Sequence, residues 1–138
     1  MKNGSVILEL QRATHATLSA LAEELADLDL TPSEINALGN LADGVARTVT
    51  ELGTASGTRP ATVTGVLDRL ERRGLITRGA RPGDRRVVLI ELTKDGIHSA
   101  ELIRDTLRHL EAKALAGLPG RQIDSTHAVL RALARVRP

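Results

Sequence analysis

One continuous stretch, Thr48 to Gly96, most constrains what this chain can fold into. Its pattern predicts, in order, a helix, a turn, a second helix, a strand, an arginine-rich turn and a second strand. Thr48 and Glu51 form a predicted capping box, and Thr58 is the predicted N-cap of the second helix, with Pro60 in its first turn. A helix-turn-helix presents its second helix to a DNA major groove. The stretch therefore predicts a DNA-binding unit.

The segments on either side of this stretch are predicted to be helical. Apolar residues recur at helical spacing, and these outer helices carry more apolar surface than a small winged core covers, which favours a symmetric homodimer. We predict a mainly α (α+β) fold, a winged helix-turn-helix flanked by N- and C-terminal dimerisation helices. The predicted DNA-binding lobe is residues 31–96, and the predicted dimerisation region is residues 1–30 and 97–138. The predicted outer helices are Val6–Leu28, Ile97–Leu118 and Arg121–Val136, and a helix capped by Thr31 and Glu34 opens the lobe.

The second helix of the motif has a buried stripe and an outer face that is rich in small residues. Val63, Val66, Leu67 and Leu70 recur at i, i+3, i+4 and i+7 and predict the buried stripe. The small residues opposite allow close approach to a groove, threonine methyls can meet thymine, and an arginine can fork onto guanine. The predicted DNA-reading residues are Thr58, Arg59, Pro60, Ala61, Thr62, Thr64, Gly65 and Arg69.

The hairpin supplies a second set of candidate DNA contacts. Its strands are predicted at Leu75–Arg78 and Val87–Leu92. We expect Asp84 to hold an arginine in a bidentate pair that points the guanidinium out of the turn. Such an arginine suits a narrow minor groove, while Arg81 and Arg85 are placed to meet phosphates.

Composition narrows the classes of function. Residues 47–94 carry ten Lys or Arg against five Asp or Glu, which indicates polyanion binding by the middle of the chain. Without Phe, Tyr or Trp, base stacking on single strands is disfavoured, and without Cys there are no thiolate sites. The four histidines show no i, i+3 or i+4 pair, and no nucleophile elbow, P-loop or dinucleotide fingerprint occurs. We therefore predict no metal, no cofactor and no enzyme.

No segment has the apolar length of a membrane span, and the N-terminus does not follow the pattern of a signal peptide. A cytoplasmic protein without membrane partners is expected.

Three motifs together resemble the MarR (multiple antibiotic resistance regulator) family of bacterial transcriptional regulators. They are the run Leu70–Ile76 (LERRGLI), Asp84-Arg85-Arg86, and the run Leu92–Gly96 (LTKDG). The resemblance implies an obligate homodimer on a pseudo-palindromic operator, with Arg86 as the wing arginine that enters the minor groove. It also implies a repressor that releases DNA when a small, often phenolic, effector binds between the dimerisation helices and the DNA-binding lobe. This chain departs from many relatives because it has no aromatic ring to stack on such a ligand and no cysteine to oxidise.

Three other functions are compatible with the sequence. A transcriptional activator and a non-specific architectural DNA-binding protein use the same surface. A winged-helix module for protein contacts uses the fold without DNA. The main prediction remains a sequence-specific, ligand-responsive repressor that binds double-stranded DNA as a homodimer.

Overall fold

The computed structural model describes residues 4–138, and within them the predicted winged helix-turn-helix is confirmed. This part of the chain contains six α-helices, one 3₁₀ turn and one antiparallel hairpin. In chain order they are α1 (Val6–Glu24), the 3₁₀ turn (Ala26–Leu28), α2 (Pro32–Leu41), α3 (Val49–Ser56), α4 (Pro60–Arg72), β1 (Ile76–Arg81), β2 (Asp84–Leu92), α5 (Lys94–Ala114) and α6 (Gly120–Ala134).

Both predicted capping boxes form. At α2 the Glu34 amide donates to Thr31 Oγ1 at 3.2 Å, and the Thr31 amide donates to Glu34 Oε1 at 3.0 Å. Thr48 and Glu51 repeat the arrangement at α3, with distances of 3.0 and 3.1 Å. The amide and hydroxyl of Thr48 hold the pKa of Glu51 below its ordinary value. These reciprocal bonds satisfy amides that a helix start leaves without partners, so the sequence fixes where both helices begin.

The predicted start of α4 is wrong by one residue. Arg59, not Thr58, occupies the N-cap position, and no side-chain oxygen caps the helix. The Thr58 hydroxyl instead donates to the Ser56 carbonyl at 3.3 Å, and the Thr58 amide donates to the Gly53 carbonyl at 3.0 Å. Thr58 therefore completes the turn between α3 and α4 rather than the helix itself.

Gly53 and Gly57 fix the geometry of that turn. Gly57 has φ +68°, a left-handed conformation that glycine adopts without strain. A Cβ on Gly53 would lie 3.2 Å from the Thr58 carbonyl oxygen. Gly53 is buried and Ala55 is exposed, so the inner face of α3 includes Leu52 and Gly53 and not Ala55.

The hairpin is longer than predicted. Ile76 pairs with Leu92 and Arg78 pairs with Ile90, and the register shifts between Ala80 and Arg81 near the turn. The turn residue Gly83 has φ +87°. The longer ladder carries the arginine-rich tip further from the base of the lobe.

The core of the lobe consists of aliphatic side chains from α2, α3, α4, the hairpin and α5. The predicted α4 stripe is buried, and the largest fully buried side chains are Leu38, Leu41, Leu52, Leu67, Leu70, Ile76, Ile90 and Ile103. Arg47 joins the sheet through a bridge, because its amide and carbonyl bond to Ile90 at 3.2 and 2.7 Å. Because α4 and the hairpin share this core, their relative position is defined.

The chain divides into two compact units, one through Leu107 and one from Arg108 to Pro138. In the first unit, α1 has no buried residue, and Val6, Ile7 and Leu8 are exposed. In the second unit, α6 likewise has no buried residue, and Leu118, Val129 and Leu130 are exposed.

Three helix ends differ from prediction, and α6 ends at Ala134 rather than at Val136. α1 ends at Glu24, and the 3₁₀ turn with Asp29 at φ +51° replaces its last turn, whereas α5 ends at Ala114 rather than near Leu118.

Candidate nucleic-acid interface

Helix α4 buries its apolar stripe and leaves a small, polar face in solvent. Ala61, Thr62, Thr64 and Arg69 are exposed, and Gly65 is half-buried. An added Cβ on Gly65 would meet only the Arg69 guanidinium, at 3.8 Å, so open space lies beyond it. A DNA backbone or base edge can approach such a face closely.

The two threonines of this face differ in what they can offer a base. The Thr64 hydroxyl donates to the Pro60 carbonyl at 3.0 Å, so its proton is engaged and its oxygen remains an acceptor. Thr62 makes no side-chain hydrogen bond among those found in residues 4–138. Thr62 is therefore the better candidate for a hydroxyl donor to a base.

The N-terminal end of α4 carries Arg59 and Pro60, both exposed. Because the Thr58 amide is bonded to Gly53 and Pro60 has no amide hydrogen, the amides available to a phosphate are those of Ala61 and Thr62. Both amides lie in the first turn of α4.

The tip of the hairpin holds Arg81, Asp84, Arg85 and Arg86 together. Asp84 Oδ1 accepts the Arg86 amide at 3.1 Å and Arg86 Nε at 3.3 Å. The expected bidentate pair is wrong, because a single carboxylate oxygen receives both bonds and the guanidinium uses only Nε. The Arg86 side chain is 92% exposed, which leaves its terminal nitrogens available to DNA.

Arg78 is the residue of this surface that sequence reasoning missed. From β1, its Nη2 donates to Asp68 Oδ1 at 2.6 Å and to Glu71 Oε1 at 2.7 Å. The two carboxylates, Glu71 first, raise the pKa of the Arg78 guanidinium. Asp68 and Glu71 are the only acidic residues of α4. Arg78 therefore compensates the negative charge that this helix would present to phosphates.

A second arginine holds the end of α4. Arg73 donates through Nη1 to the Asp29 carbonyl at 2.5 Å and through Nη2 to the Leu28 carbonyl at 2.9 Å. These carbonyls close the 3₁₀ turn after α1. The signal in the sequence, a run of arginines after Leu70, does not distinguish this anchoring role from DNA contact.

The structure places the predicted site residues in two groups. Eight lie in or beside the first three turns of α4, and four lie at the hairpin tip. Their contacts with DNA stay predictions.

The first unit also contains a hollow between α1, α2 and α5, here called the α1–α2–α5 hollow. Its volume is about 240 Å³, and it is lined by Leu18, Leu21, Pro32, Ile35, Asn36, Gly39, Asn40, Ile103 and Leu107.

Within residues 4–138, no group of three or more His, Asp or Glu side chains is arranged to hold a metal ion. In the same range, no helix has the length and apolar character that crossing a bilayer requires.

Comparison with known proteins points to one family. The sequence profile of the MarR family matches residues 30–88. The chain is 36% identical to YcgE, an uncharacterised HTH-type transcriptional regulator of Bacillus subtilis, over 56% of this chain and 51% of YcgE. It is 28% identical to the HTH-type transcriptional repressor NicR of Pseudomonas putida, over 79% of this chain and 69% of NicR. The match thus spans about half the length of YcgE.

Among solved structures, the chain is similar to BpsR of Bordetella bronchiseptica, whose DNA binding is regulated by 6-hydroxynicotinic acid. The two chains share 27% identity with a TM-score of 0.78, and the match covers 96% of this chain and 95% of BpsR.

Proposed function

Because the chain belongs to the MarR family, we propose that it is a sequence-specific transcriptional repressor that binds double-stranded DNA as a homodimer. Each copy would place α4 in a major groove and Arg86 in the adjacent minor groove of a pseudo-palindromic operator. The protein would act in the cytoplasm as a regulator and not as an enzyme.

The observation that carries the proposal is the charge arrangement around α4. Its outer face is small and polar, its two carboxylates are paired with Arg78, and the hairpin tip extends Arg86 into solvent. Such a surface can bind along a DNA groove lined with phosphates, because the Arg86 cation is free to contact them while the carboxylates of α4 are neutralised by Arg78. A surface built only for protein contacts does not require this compensation.

The exposed apolar residues of the terminal helices support dimerisation through residues 1–30 and 97–138, of which the first three lie outside the described residues. Leu8 of α1 and Leu130 of α6 are 62% and 42% exposed, and neither helix buries a residue within one chain. Apolar surface of this kind favours a symmetric partner. The dimer would set the two α4 helices about 34–36 Å apart, one turn of DNA.

Control by a small molecule is the second half of the proposal. The relatives support it, since BpsR is regulated by 6-hydroxynicotinic acid. An effector that favours a lobe spacing other than the DNA-bound one would weaken operator binding through its differential affinity for the two states.

The test of DNA binding is selection from a random duplex library with the full chain and with Thr62→Ala. We expect a two-fold-symmetric site for the full chain, bound at least about a thousandfold more tightly than bulk DNA. Thr62→Ala should select a different base at one position of each half-site while retaining the salt dependence. Absence of any DNA shift at micromolar protein and low salt would refute the proposal, and binding without site preference would indicate an architectural protein.

The test of dimerisation is Leu107→Asp. We expect this variant to become monomeric by light scattering and to lose tight binding to the full site, with circular dichroism as the check that its helices remain. A monomeric variant that holds a full site as tightly as the wild type would refute the dimer model. A reporter fused to the selected site then distinguishes repression from activation.

A further inference from the structure

The α1–α2–α5 hollow has an apolar floor and, within one chain, an open rim. Ile35 and Ile103 form part of the floor and are almost completely buried, while Leu18 and Leu107 at the rim are 40% and 36% exposed. The volume of about 240 Å³ lies below the roughly 300–1,000 Å³ of sites for drug-sized ligands. The hollow therefore suits a compact molecule with an apolar body.

None of the residues that line the hollow is charged. A carboxylate placed against this lining loses part of its hydration and gains no cationic partner, which is unfavourable. The lining thus discriminates against acids, the class to which the 6-hydroxynicotinic acid that regulates BpsR belongs.

The polar groups of the lining are two carboxamides one helical turn apart on α2. Asn40 Nδ2 donates to the Asn36 carbonyl at 2.9 Å and to Asn36 Oδ1 at 2.6 Å. The bond to a backbone carbonyl identifies the Asn40 nitrogen, and its second bond then identifies the Asn36 oxygen. No hydrogen bond found in residues 4–138 uses Asn36 Nδ2 or Asn40 Oδ1. The exposed Asn36 therefore presents an unused NH₂ group, and the half-buried Asn40 presents an unused oxygen acceptor.

We propose that this hollow binds compact, uncharged molecules that carry a carboxamide or lactam on an apolar body. The carbonyl of the ligand accepts from Asn36 Nδ2, and its N–H donates to Asn40 Oδ1. The inference names the chemical class of the effector and so rests on the proposed function.

The test compares two ligands of the same shape, cyclohexanecarboxamide and cyclohexanecarboxylate, at neutral pH. Each is titrated into the full chain while the side-chain amide signals of Asn36 and Asn40 are followed by NMR. We expect the carboxamide to shift both signals and to bind at least about tenfold more tightly than the carboxylate, a ratio that corresponds to about 1.4 kcal/mol.

Gly39 offers a matched pair of variants at the floor. A Cβ at this position would lie 3.5 Å from Ile103 Cγ2, an ordinary contact, so alanine fits without displacement. Gly39→Leu extends a side chain into the hollow and should abolish carboxamide binding. Gly39→Ala fills less of the hollow and should retain carboxamide binding.

Equal or tighter binding of the carboxylate, no binding of the carboxamide, or unchanged binding by Gly39→Leu would each overturn the inference. Operator release is measured separately with the selected duplex. A protein that binds the carboxamide and stays on its DNA would support the binding site and refute control by an effector. A ligand-free protein that binds no DNA would refute the proposed function alone.

Discussion

Gly96, the third residue of α5, lies where that helix passes beneath the start of the hairpin. The perturbation is Gly96→Ala. The added Cβ would lie 1.8 Å from the Leu75 carbonyl oxygen and 3.3 Å from Leu92 Cδ2. Because the first neighbour is backbone, either α5 or the strand must move by roughly 1.5 Å to restore van der Waals contact.

Two hydrogen bonds depend on that close approach. The Thr93 amide donates to the Leu75 carbonyl at 3.0 Å, and the Thr93 hydroxyl donates to the Gly74 carbonyl at 2.6 Å. Their loss costs about 1–3 kcal/mol, and overpacking adds about 1–3 kcal/mol. The higher helix propensity of alanine returns at most about 1 kcal/mol. The three contributions sum to a net destabilisation of about 1–6 kcal/mol.

The assay is urea unfolding followed by far-ultraviolet circular dichroism at fixed protein concentration. Gly39→Ala and Gly65→Ala serve as controls, because an added Cβ meets only side-chain atoms at 3.5 and 3.8 Å. Both should leave stability unchanged or raise it by up to about 1 kcal/mol. A Gly96→Ala midpoint at or above that of the wild type would refute the clash argument.

Three further predictions concern charged residues. Arg86→Ala should weaken operator binding by about 1–3 kcal/mol in a filter or anisotropy titration, because it removes the proposed minor-groove cation. Arg78→Met should lower the free energy of unfolding by about 0.5–1.5 kcal/mol, since two partly exposed ion pairs are lost, and should also weaken DNA binding by leaving Asp68 uncompensated. Hydrogen bonds from Arg47 and from a backbone amide hold the pKa of Asp43 well below its ordinary value of 3.8. Its stabilising contribution is therefore complete above that value and is lost as pH falls further, so Asp43→Asn should flatten the decline of stability in acid.

Each of these has a contradicting result. Arg121→Ala is the control for Arg86→Ala, because it removes the same charge from α6. If both variants weaken operator binding equally, the effect of Arg86 is one of overall charge and not of a contact made by the hairpin tip. For Arg78, adding Asp68→Asn should recover part of the lost DNA affinity, and no recovery would show that charge compensation is not its role. For Asp43, parallel acid unfolding curves for the variant and the wild type would exclude its carboxylate as a source of the pH dependence.

The parts of the fold that sequence predicted well are those specified by neighbours within one helical turn. The Thr48–Glu51 capping box and the Val63–Leu70 stripe need no knowledge of the rest of the chain. The start of α4 was predicted less well, because Thr58 and Arg59 both precede Pro60 and the choice between them depends on the Gly53 carbonyl across the turn.

The candidate site was predictable as a surface but not as a set of contacts. Arg78 and Asp68 are ten residues apart, and their pairing exists only because β1 packs on α4. The same holds for the α1–α2–α5 hollow, because its lining residues come from three different helices. Such features follow from tertiary packing, and no local pattern encodes them.

The arginines on either side of the α4 C-terminus have a mechanical consequence. Arg78 links the C-terminal half of this helix to the hairpin, and Arg73 links its end to the carbonyls after α1. Helix α4 and the hairpin are therefore held to each other and should move as one rigid body, so that the two proposed groove contacts of one lobe are gained or lost together.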